Sequence, residues 1–138
     1  MKSLGIDLGE ARIGVAISDD LGMMAHPVET IPVKECDPLA RIAEIVARDR
    51  IEIIILGMPR NMDGSYGPAA EKTRVFADSL RAKIPCEIKL WDERLTSVAA
   101  QKSLHAAGLN TKQSRAVIDQ VAAQMILQGW LDSQAGQG

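Results

Sequence analysis

With 138 residues, the chain has the length of one domain, large enough to bury roughly 70% of the surface it would expose unfolded without help from a disulfide or a structural metal. Its 46% hydrophobic and 25% charged residues exclude a disordered chain, and only 3% aromatic residues predict an aliphatic core. The net charge of -2 excludes bulk attraction to nucleic acid, so any such binding has to come from local clusters of Lys and Arg.

Residues 3–8, 13–18 and 27–33 are short runs rich in Ile, Val and Thr, separated by Gly9 and by the turn signal Asp19-Asp20-Leu21-Gly22; they predict a three-stranded antiparallel meander. From Asp37 the period becomes helical: Leu39, Ile42, Ala43, Ile45 and Val46 follow a capping Asp and Pro38 at the first helical position, up to about Arg50. Residues 51–56 are nearly all apolar, as suits a strand covered on both faces. A loop over 57–67 and a helix opened by Pro68 and closed before Pro85 come next, then a fifth strand over 86–91. Thr96 or Ser97 caps a helix reaching about His105, 108–114 reads as loop, and a last helix covers about 115–131. The expected domain is 1–132, with a disordered tail over 133–138.

Three acids stand out against this frame. Asp7 lies near the carboxyl end of an apolar first strand, where a carboxylate is costly unless paired or metal-bound; alone, it could equally serve the Gly9 turn. Glu93 directly follows the fifth strand, at the sheet edge where open α/β sheets bind ligands, although a loop Glu beside Arg94 could also be a surface ion pair. Asp119 falls within the apolar stripe of the last helix, among Ile118, Ala122, Ala123, Ile126, Leu127 and Trp130, with Gln120, Gln124 and Gln128 opposite. A lone acid in that stripe requires a partner. Small Ala122 and Ala123 would let the helix approach the sheet and carry Asp119 toward Asp7.

Three converging carboxylates point to divalent metal, and oxygen-only ligands favour Mg²⁺ or Mn²⁺ over zinc. Phosphoryl transfer is the matching chemistry. Cys36 and Cys86 show no metal-ligand spacing and are expected to be reduced, structural thiols. His26 and His105 stand in no nucleophile–base pattern. Arg12, Arg60, Arg94, Lys112 and Arg115 fall in or beside loops at the end carrying the acids and could track a nucleic-acid backbone. Arg60, Asn61 and Ser65 belong to a strand–loop–helix stretch suited to phosphate, with Tyr66 as the loop aromatic able to stack on a base.

The segments GIDLGEARIGVAISDD at 5–20, LGMPRNMDGSYGP at 56–68, DERLTS at 92–97 and IDQVAAQMILQGWL at 118–131 resemble the YqgF (RuvX) family over nearly the whole chain. The resemblance implies a ribonuclease H-like α/β fold: a five-stranded mixed sheet, made of an antiparallel three-strand meander plus two crossover strands, with helices on both faces. It also implies Asp7, Glu93 and Asp119 as the acidic triad. Members are described as Holliday-junction resolvases or as nucleases maturing the 5′ end of pre-16S ribosomal RNA. The expected protein is therefore a Mg²⁺- or Mn²⁺-dependent nuclease acting on pre-rRNA or branched DNA, cytoplasmic, without a membrane span, as monomer or homodimer. A non-catalytic nucleic-acid-binding module on the same fold is the alternative. Gly-Ile-Asp-Leu-Gly also resembles the first phosphate loop of sugar kinases and Hsp70-type ATPases, which need a second lobe. An obvious fourth acid is absent, which leaves the number of metals open.

Overall fold

The computed structural model describes residues 1–9, 11–59, 63–93 and 112–135, the side chains of 112–117 excepted. Its elements are β1 (Ser3–Leu8), β2 (Arg12–Ser18), β3 (Ala25–Pro32), α1 (Pro38–Asp49), β4 (Ile53–Met58), α2 (Pro68–Lys83), β5 (Glu87–Asp92) and a last helix, α3 (Lys112–Ala135). The strands form one sheet in the order β3-β2-β1-β4-β5. β1–β2 and β2–β3 pair antiparallel, whereas β1–β4 and β4–β5 pair parallel. The expected meander plus two crossover strands is what forms.

Local chemistry explains the joints. Gly9 donates its N–H to the Arg12 carbonyl at 2.9 Å, and a Cβ at Gly9 would stand 2.4 Å from that oxygen, so this turn admits no side chain. Asp37 caps α1 by accepting from the Leu39 and Ala40 amides, Pro38 opens the helix, and Arg50 closes it in the left-handed conformation with φ 55°. Gly67 precedes α2 without a side-chain cap.

Strand alternation splits the core between the two faces. Ile6, Ile13, Val15, Ile54 and Leu56 pack under Ile42 and Ile45 of α1 and Ala77 and Leu80 of α2. Ala16, Ile53 and Ile55 pack under Ala122, Ala123, Ile126, Leu127 and Trp130 of α3. Helices therefore cover both faces, as expected.

Strand ends shift by one or two residues from the sequence reading, and three larger differences stand out. β4 continues through Gly57 and Met58, placed by the reading in the loop, because both pair with Trp91 and Asp92 of β5. α3 begins at Lys112 rather than near Arg115. At its other end α3 continues to Ala135, where the start of a disordered tail is expected, and Ser133 donates its hydroxyl to the Trp130 carbonyl. The helix expected over 96–105 lies outside the described residues. Among those described, no helix is long and apolar enough to cross a membrane.

Gln120, Gln124 and Gln128, expected opposite the buried stripe, form a hydrogen-bonded seam along the edge strand. Gln120 donates to Thr30 Oγ1 and Gln124 to the Ala25 carbonyl, while Gln128 accepts from the Ala25 amide and donates to the Met23 carbonyl. An edge strand offers free backbone groups, and side-chain amides can supply both a donor and an acceptor.

Candidate active site

Alternation along β1 sends Leu4 and Ile6 toward α1 and α2 and leaves Gly5 and Asp7 on the α3 face. Asp7 is only 1% exposed, and the residue level with it on each neighbouring strand is a glycine. Its register partner on β2 is Gly14; on β4, Gly57 stands one step past the Ile6–Leu56 pair. Each glycine is one strand spacing away, about 4.8 Å.

The space left by the missing side chains is filled by the other two acids. A Cβ on Gly14 would fall 1.9 Å from the backbone oxygen of Asp119. A Cβ on Gly57 would fall 2.7 Å from Oε1 of Glu93 and 2.5 Å from Cδ1 of Ile126. Farther down β1, a Cβ on Gly5 would meet the Ala123 carbonyl oxygen at 2.8 Å and Leu127 Cβ at 2.7 Å. The backbone of α3 thus lies directly on the sheet, the approach that Ala122 and Ala123 were expected to permit. Asp7, Asp119 and Glu93 gather on one face, near the carboxyl end of β1.

Asp119 has the partner its apolar setting requires: Arg12 Nε donates to Oδ2 at 2.9 Å, with the side chains 29% and 15% exposed. Arg12 opens β2 two residues before Gly14, so it shares Gly14's face. Expected as a contact for the nucleic-acid backbone, Arg12 here pins α3 to β2. Among the described residues, no three His, Cys, Asp or Glu side chains close around a common point at metal-holding distance; the Asp119 carboxylate faces Arg12 instead. The donor set nonetheless fits a hard divalent cation in kind, being three carboxylates without nitrogen or sulfur, and Gly57 on β4, the strand between β1 and β5, leaves no Cβ between Asp7 and Glu93.

One neighbour escaped the sequence reading. Trp91 is the register partner of Gly57 and packs partly buried against the α3 cluster. Its Nε1 is buried and has no hydrogen-bond partner among the described residues. Strand alternation from Trp91 to Glu93 was the available signal that both share a face.

Arg60, Asn61 and Arg94 lie outside the described residues, and Lys112 and Arg115 fall in the first turns of α3. Ser65, expected at phosphate, directs its N–H and hydroxyl to Asp63 Oδ1 at 2.9 and 2.6 Å, which closes the Asp63-Gly64 turn. Tyr66 is exposed, with the Arg74 guanidinium 4.5 Å above its ring. His26 is exposed on β3. Cys36 and Cys86 are free thiols, and burial pushes the Cys86 thiol up, away from the reactive thiolate.

Residues 1–133 match the sequence model of the family described as "RuvX: Holliday junction resolvase". The chain belongs to the RuvX family. Relatives include the Halalkalibacterium halodurans protein, 45% identical over 97% of this chain and 98% of its own length, and the Bacillus subtilis protein, 44% identical over 96% and 99%. Another, from Halothermothrix orenii, is 48% identical over 97% and 96%. All three bear the name "Putative pre-16S rRNA nuclease". Among solved structures, Thermus thermophilus RuvC in complex with a Holliday junction substrate aligns with a TM-score of 0.54 at 19% identity, over 99% of this chain and 96% of that one. The fowlpox virus Holliday junction resolvase aligns with a TM-score of 0.55 at 13% identity, over 96% and 99%. At those identities the likeness is one of fold, and the RuvX chain has a ribonuclease H-like architecture.

Proposed function

We propose that this RuvX protein is a cytoplasmic, divalent-metal-dependent nuclease that hydrolyses a phosphodiester at the 5′ end of pre-16S ribosomal RNA. The observation that carries the reading is Asp7 buried between Gly14 and Gly57, with Asp119 and Glu93 occupying the space those glycines leave. The three acids offer only carboxylate oxygens as ligands, which suit a hard divalent cation. Asp7, Glu93 and Asp119 are the residues that would hold Mg²⁺ or Mn²⁺. When bound, the metal would supply a hydroxide nucleophile at neutral pH and stabilise the charge developing on the phosphoryl oxygens.

The protein's own contribution is placement. β1 fixes Asp7 at the middle of the sheet, the end of β5 carries Glu93 over Gly57, and α3 brings Asp119 onto Gly14. Arg12 holds Asp119 through Nε, and its guanidinium has further N–H donors with which to meet a phosphate oxygen. The names of the relatives favour RNA. A four-way DNA junction is the second reading, favoured by the family's description; it would call for a homodimer with two sites, because a junction is cut symmetrically.

The test incubates wild type and Asp7→Asn with a pre-16S RNA fragment and with a four-way DNA junction, in Mg²⁺, Mn²⁺ or EDTA. Wild type is expected to cut the RNA only with metal present. Asp7→Asn should lose more than the roughly 10–100-fold typical of removing an outer partner of a metal ligand. Cleavage confined to the junction would replace the substrate, and cleavage by Asp7→Asn or in EDTA would remove the proposed site.

A further inference from the structure

A cavity of about 400 Å³ opens where β1 and β4 end, against α2. Leu8, Gly9 and Pro59 line it from the sheet, and Pro68, Val75 and Phe76 from the helix side. We propose that this cavity seats a base of the RNA strand whose phosphodiester lies at the acids, so that α2 grips the substrate beside the cut. The inference rests on the nuclease reading.

Continuity with the site is the first argument. Leu8 and Gly9 follow Asp7 directly in the chain, and Pro59 lies two residues beyond Gly57, so the strand ends that position the acids also build the cavity wall. Because Leu8 points to the α2 side and Asp7 to the α3 side, a strand with its phosphate at Asp7 reaches the cavity by crossing the sheet edge at β1. The second argument is composition. Two proline rings, Phe76 and Val75 make an apolar slot, and Val75 is left 59% exposed, where an apolar ligand would remove it from water. The volume falls within the roughly 300–1,000 Å³ of small-ligand sites. Third, Lys72 also lines the cavity, giving it a cationic side chain whose charge complements the phosphate attached to a seated base. A slot with an apolar wall and few hydrogen-bonding groups accepts a base by its face, which is sequence-tolerant.

Binding is measured in EDTA, so that no cutting intervenes, with the full chain and two short single-stranded RNAs of equal length, one bearing bases and one abasic throughout. Cleavage of the pre-16S fragment with Mg²⁺ is measured alongside. Ala69, exposed on the first turn of α2 and also lining the cavity, is changed to Trp to fill the slot; Val75→Ala removes one wall from an exposed position. Ala69→Trp is expected to weaken binding of the base-bearing RNA by roughly 5- to 150-fold, the loss of one stacked base, and to leave the abasic strand unaffected. Val75→Ala should weaken it in the same selective way, by less. Lys72→Gln should weaken both strands equally. If Ala69→Trp and Val75→Ala bind both RNAs like wild type, or lose both equally, the cavity seats no base, even where wild type cuts the fragment. A deoxy strand bound as tightly and as selectively would overturn RNA as the ligand. Wild type that cuts nothing yet shows the base-selective loss would retain the pocket and sink the nuclease reading.

Discussion

On one face of the sheet α1 and α2 rest on Ile6, Ile13, Val15, Ile54 and Leu56; on the other, α3 rests on Gly5, Gly14 and Gly57. The first arrangement maximises apolar burial, at about 1.5–3 kcal/mol for each fully buried Ile or Leu, and holds its helices off the sheet by the length of those side chains. The second gives up that burial at three positions and gains proximity, since a helix backbone touching a strand backbone seats an acid over Gly14, the residue paired with Asp7. One face supplies stability, and the other uses it to keep a carboxylate buried.

Stability of the core and placement of the acids should therefore separate by face. Changing Leu80, fully buried on the sheet-facing side of α2, to Ala should cost about 2–5 kcal/mol of stability, read by urea denaturation. Cleavage per folded molecule should stay at the wild-type level. A loss of cleavage at matched folded fraction would mean that the two faces are not independent.

Gly14→Ala should come next. Its new Cβ meets a backbone oxygen at 1.9 Å and a backbone carbon at 2.4 Å, neither of which can rotate away, so α3 must lift. Overpacking of this kind costs about 1–3 kcal/mol, and cleavage should fall with it because Asp119 leaves the site. Gly57→Ala meets side chains rather than backbone, Ile126 at Cδ1 and Glu93 at Oε1 and Cγ, and these can turn aside. Its stability loss should be nearer about 1 kcal/mol, yet cleavage should still drop, because it is Glu93 that turns. If Gly57→Ala keeps full activity, Glu93 does not act from the position over Gly57.

Much of this division can be read in the sequence, and the unread part has one cause. Periodicity identifies β1, β2 and the α3 stripe, and Asp37-Pro38 marks the start of α1, because these signals are local. The three acids stand out because each breaks a local pattern. The use of Gly14 and Gly57 does not, since a glycine in a strand shows that room is needed without showing for what. The partner of Asp119 was equally hidden: Arg12 lies 107 positions away, and only the β1–β2 turn and the seating of α3 bring them together. Gln120, Gln124 and Gln128 have a helical period that reads as a solvent face unless the edge strand opposite is known.

Each face also pins a helix with an arginine–carboxylate pair, and this symmetry gives the smallest predicted effect. On the stability face, Arg41 of α1 donates from Nε and Nη2 to the two oxygens of Glu29 on β3, at 2.9 and 2.6 Å, and from Nη1 to Glu44 at 2.9 Å. The hydrogen bonds from Arg41 hold the Glu29 carboxyl below its ordinary value of 4.5, against the opposing effect of burial. A depressed carboxyl pKa contributes stability that is fully present above the unfolded value and is lost as pH falls through the folded one. The pair is partly solvated, with side chains 32% and 28% exposed, so its worth is held to about 1 kcal/mol or less. Glu29→Gln should therefore lower the melting temperature at neutral pH by no more than roughly 2–4 °C or slightly above. The gap to wild type should begin to close as pH drops below about 4.5 and vanish once pH passes below the depressed value of the folded carboxyl, where wild-type Glu29 is neutral as well. A gap that persists unchanged into acid would show that Arg41 works by packing its stem rather than by charge. Cleavage should not respond to Glu29→Gln at all, in contrast to Arg12→Ala, where the same kind of pair carries an acid of the proposed site.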